Sequence, residues 1–166
     1  MHKLLTILLL LLPAVVFGQP DKVYRSLADV TDPNEVYILH LRGKRLRAVP
    51  AEVYSMPNLR ELNLRGNRIS TLSDSIALLR NLERLELSRN PIASLPPILA
   101  TLPNLSHLVL WDTKVSSLPP EFEQMDGTLL LLDLRDCPLT VEDQKAIEQL
   151  LPSTRKLWDY ACNCGD

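Results

Sequence analysis

The sequence predicts an α/β solenoid, a stack of similar coils with a parallel sheet along one side and short helices or 3₁₀ turns along the other. Three observations carry this reading. A phrase of the form L-x-x-L-x-L-x-x-N-x-L recurs five times, starting at 36, 59, 82, 105 and 129, at intervals of 23, 23, 23 and 24 residues. Within each phrase L-x-L has the two-residue alternation of a short strand, so both leucines face inward and the residue between them faces out. The second half of each period carries apolar residues three and four apart, the spacing of one face of a short helical turn. The chain is 46% apolar but only 5% aromatic, so leucine fills the interior.

The clearest copy is Leu82, Leu85, Leu87, Asn90 and Ile92, preceded by Leu59, Leu62, Leu64, Asn67 and Ile69. It returns at Leu105, Leu108, Leu110, Thr113 and Val115, and at Leu129, Leu132, Leu134, Cys137 and Leu139. A fainter first copy is Val36, Leu39, Leu41, Lys44 and Leu46. One such strand cannot bury its apolar face alone, whereas stacked coils share a continuous core. The Asn position lies where the chain bends inward, and an amide there satisfies backbone groups that the bend leaves unpaired. Asn67 and Asn90 suit that role, Thr113 and Cys137 suit it less well, and Lys44 does not suit it from inside a core.

Residues 1–18 read as a secretory signal peptide. His2 and Lys3 precede the apolar run Leu4–Phe17, which is interrupted by Pro13, is too short to span a bilayer, and ends in small residues before Gln19. No cysteine follows the run to accept a lipid, and the Gly-Gln junction resembles export signals of some Gram-negative bacteria. Removing Lys3 leaves 17 basic against 20 acidic residues, a net charge of −3, which argues against nucleic acid as a partner. The remaining length, about 148 residues, suits one domain. No linker or second composition regime follows Gln19, and no further segment reads as a membrane span.

Residues 19–35 read as an N-terminal cap, with a short helix over Val23–Ala28 covering the edge of the first coil. The convex side follows from Val49, Leu72, Leu95 and Leu118. Four residues on stand Val53, Ile76, Leu99 and Phe122, and seven residues on stand Met56, Leu79, Leu102 and Met125. Pro50, Pro96 and Pro119 pre-set the backbone where these turns begin. Pro57 and Pro103 end them, followed by Asn58 and Asn104. The extra residue of the 24-residue copy falls in Asp126-Gly127-Thr128, an outer loop. Residues 140–166 read as a C-terminal cap: a helix over Val141–Leu151, N-capped by Thr140 and stopped by Pro152, then a degenerate strand over Thr154–Tyr160. There Trp158-x-Tyr160-x-x-Asn163 repeats the L-x-L-x-x-N rhythm with aromatic residues.

Residues 36–139 resemble the leucine-rich repeat family in its typical 23-residue form, with Leu-Pro-x-x-Ile-x-x-Leu on the convex turn. Among members they are similar to plant Ras-group and disease-resistance-like repeats and to bacterial secreted relatives. The resemblance implies a right-handed α/β solenoid with a concave parallel sheet of five to six strands and a convex side of short helices or 3₁₀ turns, with helical caps at both ends. It implies binding of other macromolecules on the concave face, and no reaction.

Motifs for chemistry are lacking. His40 and His107 project from strands three coils apart, about 14 Å at the usual strand spacing, and cannot share a metal ion. No Ser-His-acid order, glycine-rich phosphate loop or H-E-x-x-H phrase occurs, so neither an enzyme nor a cofactor is predicted. Asp133 and Asp136 read as solvated concave positions. Export would place the three cysteines in an oxidising compartment. Cys137 reads as a buried, reduced thiol, in preference to a disulfide with Cys162 or Cys164.

The outward strand residues form columns across the sheet. The first is Ile38, Glu61, Arg84, His107 and Leu131; the second is His40, Asn63, Glu86, Val109 and Asp133; the third is Arg42, Arg65, Ser88, Trp111 and Arg135. Beyond them lie Gly43, Gly66, Arg89, Asp112 and Asp136. An exposed Trp111 with His107 and Val109, beside Arg84 and Arg89, has the composition of an interface hot spot. It equally has that of a surface tryptophan steadied by a neighbouring arginine. Arg65 and Glu86 complete the expected partner-binding face. The sequence therefore predicts an exported, non-catalytic protein- or peptide-binding module. The alternatives are an envelope-associated structural component without a dedicated partner, and an inhibitor of an enzyme.

Overall fold

A computed structural model describes residues 20–159; residues 1–19, which include the expected signal peptide, and residues 160–166 lie outside the described part. Seven strands form one parallel sheet in chain order: β1 (Val23–Tyr24), β2 (Ile38–His40), β3 (Glu61–Asn63), β4 (Arg84–Glu86), β5 (His107–Val109), β6 (Leu131–Asp133) and β7 (Arg155–Leu157). The register puts Leu39, Leu62, Leu85, Leu108 and Leu132 side by side. All five are buried, as are Leu41, Leu64, Leu87, Leu110 and Leu134 two residues on.

The convex side consists of 3₁₀ turns at Ala51–Ser55, Asp74–Leu78, Pro97–Thr101 and Pro120–Met125. Each sends an apolar residue, Val53, Ile76, Leu99 or Phe122, fully into the core, and the last turn adds Met125. Five or six residues suit one tight turn better than an α-helix, whose first turn is costly to nucleate. Between coils, Asn58, Asn81 and Asn104 each donate Nδ2 to a backbone carbonyl 24 residues earlier, at 2.8 Å.

The inward bend after each strand has two parts. Gly43, Gly66, Arg89, Asp112 and Asp136 all take left-handed backbone, with φ between 54 and 70°. The next residue then turns into the core. Asn90 donates to the carbonyls of Leu64 (3.0 Å) and Leu87 (2.8 Å) and accepts from Ile69 N at 3.0 Å. Asn67 donates to Leu41 O and Leu64 O and accepts from Leu46 N. In the later coils Thr113 and Cys137 share one contact, Oγ1 to Sγ at 3.3 Å, and Cys137 Sγ donates to Leu110 O. Lys44 is exposed in the first coil, where Arg45 supplies a second left-handed residue.

Both caps differ from expectation. Val23–Ala28 is not a helix: β1 pairs with β2, Tyr24 fills the core position beside Leu39, and 3₁₀ turns follow at Leu27–Asp29 and Pro33–Glu35. Valine and tyrosine favour strands, and the unpaired edge of β2 offers backbone partners that six isolated residues of helix lack. Among the described residues the sheet thus has seven strands rather than five or six. At the other end α1 (Val141–Leu150) forms as predicted, with a Thr140–Asp143 capping box. β7 forms too, but two residues out of the predicted register. Lys156 pairs with Leu132 at the inward position, and Trp158 packs against the core from the next one. Tyr160 and Asn163 lie outside the described residues.

Candidate partner-binding surface

The sheet register aligns the first two columns as the repeat arithmetic requires, extends both onto β7 and extends the first onto β1 at Val23. The columns differ sharply in exposure. The middle one sinks into the surface: Glu86 is 9% exposed, Val109 7% and Asp133 4%. Three of its polar members fold forward to serve the backbone two residues on. Asn63 Oδ1 accepts from Arg65 N (3.1 Å), Glu86 Oε1 from Ser88 N (2.9 Å) and Asp133 Oδ1 from Arg135 N (3.3 Å). Short acceptors commonly shape turns this way. Glu86 and Val109 therefore offer little surface to a partner. Asp133 is not a solvated carboxylate but a buried one, held by Arg135 through Nε at 2.9 Å and Nη2 at 2.6 Å. That contact, more than the accompanying charge, holds the Arg135 guanidinium above its ordinary pKa.

Trp111 is half-buried rather than exposed. The guanidinium carbons of Arg65 and Arg89 lie 4.8 and 4.5 Å from its ring centre, and its Nε1 donates to Asp136 Oδ2 at 2.6 Å. Arg89 also approaches Asp112 at 3.7 Å. Arg65 comes from the coil before Ser88 and Trp111 from the coil after it. Ser88 on the column between them is 1% exposed, and its hydroxyl has no partner among the described residues. Asp136 is the residue that sequence reasoning undervalued, although its place one coil beyond Trp111 and one column over was available from the period.

His107 and Arg84 stand apart from this group, on the first column. With Tyr37, Arg60, Glu61, Glu83 and Ser106 they line a shallow cavity of about 370 Å³ at the opposite edge of the strands. His107 Nδ1 contacts Ser106 Oγ at 2.9 Å. His40 contacts Glu61 at 2.7 Å and stands three strands from His107. Among the described residues no group of histidines, cysteines and carboxylates is arranged to hold a metal ion, and no helix is long and apolar enough to cross a membrane. Cys137 is half-buried, and burial raises its thiol pKa although hydrogen bonds from Thr113 oppose the rise. Cys162 and Cys164 lie outside the described residues.

An open parallel-sheet solenoid carrying a ridge of arginine, tryptophan and aspartate belongs to the class of repeat proteins built to present a surface. Two models of leucine-rich repeats match the sequence, one over residues 34–92 and one, for paired copies, over residues 80–122. The chain belongs to the leucine-rich repeat family, whose members are generally binding modules rather than catalysts. Among solved structures it is similar to a leucine-rich repeat protein of Leptospira interrogans, at 25% identity and a TM-score of 0.58, over 82% of this chain and 46% of that one. It shares its fold with an internalin of Listeria monocytogenes, at 21% identity and a TM-score of 0.53, over 76% of this chain and 36% of that one. The chain thus spans less than half the length of either. Comparison with curated proteins finds no match.

Proposed function

We propose that this chain is an exported interaction module whose concave face binds a protein or peptide, anchored at Trp111. The observation that carries the reading is the setting of Trp111: two guanidinium groups lie near its ring and a carboxylate holds its nitrogen. Tryptophan and arginine dominate interface hot spots, and side chains already fixed in place lose little freedom on binding. His107 and Arg84 form a second, separate contact zone. Glu86 and Val109 shape the surface between the two without reaching far out of it. The net charge of −3 after removal of the apolar leader favours a protein over nucleic acid. The leader Leu4–Phe17 supports export, and a native chain beginning at Gln19 on N-terminal sequencing is the expected result; a retained Met1 would refute it.

The binding reading is tested by pull-down from the native cell envelope with the wild-type chain and with Trp111→Ala. The variant is expected to weaken capture at least about tenfold, as loss of a hot-spot anchor does. Its circular dichroism should stay native, because the indole points away from the leucine core. Equal capture by both chains, with loss on a convex-side change, would place the interface elsewhere.

A further inference from the structure

Beside Trp111, on the turns that leave the first three leucine-rich coils, Arg42, Arg65 and Arg89 surround a trough of about 470 Å³ floored by Gly43 and Gly66. The glycines stand at the left-handed position of their coils, with φ of 65 and 70°. Backbone conformation alone does not explain them, because Arg89, Asp112 and Asp136 hold the same position in later coils at φ of 54 to 56°. What glycine adds here is room. A Cβ at Gly43 would have no neighbour within 4 Å, and one at Gly66 would meet only the backbone of Gly43 at 4.0 Å. A side chain at either would rise into the trough, whereas bare backbone lets another chain approach closely.

The walls carry uncompensated charge. Among the described residues Arg42 and Arg65 have no carboxylate within ion-pair distance, and Arg89 has only Asp112 at 3.7 Å. Further along the same edge the sign reverses, with Asp112 and Asp136 at the left-handed position and Asp159 contacting the backbone of Asp136. A long polyanion following this edge would run from cations onto carboxylates, so the charge pattern suits a short anionic stretch. Guanidinium groups present paired N–H donors that match a carboxylate, and Arg65 and Arg89 are already steadied on the indole. The buried, unpartnered Ser88 hydroxyl lies in the same strip.

We propose that this trough receives a short acidic peptide segment of the partner, its carboxylates on Arg42, Arg65 and Arg89 and its backbone passing over Gly43 and Gly66. The assignment rests on the concave-face reading and names the chemistry of its ligand.

The test titrates the purified full-length protein with a fluorescent octapeptide rich in glutamate, its glutamine counterpart and a sulfated heparin oligosaccharide, reading anisotropy at two salt concentrations. The glutamate peptide should bind about tenfold tighter than the glutamine one and weaken with salt, as charge-assisted contacts do. Gly43→Asp and Gly66→Asp copy the residue that later coils carry at this φ, so the fold should persist while binding of the glutamate peptide falls about tenfold. Arg42→Gln alters only an exposed side chain, and a smaller loss with it supports the same reading should either glycine variant misfold. Equal binding of the two peptides, tighter binding of heparin, or self-association abolished by Gly66→Asp would each overturn the proposal. A partner whose capture is lost in Trp111→Ala but unchanged in Gly66→Asp would refute the trough and leave the concave-face reading standing. A partner indifferent to both would refute the concave-face reading itself.

Discussion

Arg65 and Trp111 stand two coils apart in sequence order, yet the guanidinium carbon of one lies 4.8 Å from the ring centre of the other. The contact passes over Ser88, which is 1% exposed. Replacing Arg65 with alanine should open that strip. The expected stability loss is about 0.5–1 kcal/mol, the value of one partly exposed cation–π contact. Urea denaturation measures it, and a change in tryptophan emission of the native state reports the altered setting of Trp111. An unchanged spectrum would contradict the stacked arrangement.

The interior leucines of central coils should be costly to truncate. Leu85 and Leu108 are fully buried, and changing either to alanine should destabilise by about 2–5 kcal/mol. Equilibrium denaturation decides it. A loss within experimental error would remove these residues from the core.

Asn90 presents a different cost. Alanine there strands the carbonyl of Leu87 and the amide of Ile69 and leaves Leu64 O to Asn67 alone. Buried groups left unpaired should lower stability by about 2–3 kcal/mol or more. Thr113→Ala removes a single contact and should cost less. If the two variants were equally stable, the amide ladder would not be what secures the bend.

The helix cap titrates in a defined direction. Hydrogen bonds from the Thr140 side chain and backbone hold the Asp143 carboxyl below its ordinary pKa. A carboxylate with a depressed folded pKa contributes stability above its unfolded value, about 3.9, and loses it as pH falls through the folded value. The melting-temperature advantage of wild type over Asp143→Asn should therefore be present at pH 7 and shrink below about pH 4. A constant difference across that range would show that the carboxylate is not the operative group.

Cys137 should react slowly. Burial raises its thiol pKa, so little thiolate exists at neutral pH. Alkylation by iodoacetamide should run about tenfold slower than for free glutathione and accelerate in urea. Fast labelling of Cys137 in the native state, located by peptide mapping, would contradict the half-buried position.

Much of this architecture is legible in the sequence because coil arithmetic is simple. Once Leu62, Leu85 and Leu108 define the period, the neighbours of every strand residue follow, and the register obeys them. The arithmetic fails where the repeat fails. Val23 and Tyr24 carry no repeat phrase, and the open edge of β2 decides their conformation. In the last coil the aromatics Trp158 and Tyr160 imitate L-x-L, but the pairing of Lys156 with Leu132 fixes the register. At the surface, period gives the column of a residue but not its depth. Glu86 and Asp133 are drawn down by the backbone amides of Ser88 and Arg135, a local hydrogen bond that no periodicity encodes.

Lys156 holds a further consequence. It occupies the slot that Leu39, Leu62, Leu85, Leu108 and Leu132 fill in the preceding coils. A leucine in that slot offers the next coil a flat apolar shelf, and any similar coil from another molecule could settle on it. An ammonium keeps its stem on the apolar shelf and its charged head in water, so the step above it is wet and cationic. Lysine on an outer strand is a common guard against end-to-end fibre growth. Among the described residues β7 is the last strand of the sheet, and Lys156→Leu is expected to promote association between molecules through this slot, which sedimentation velocity at rising concentration would measure.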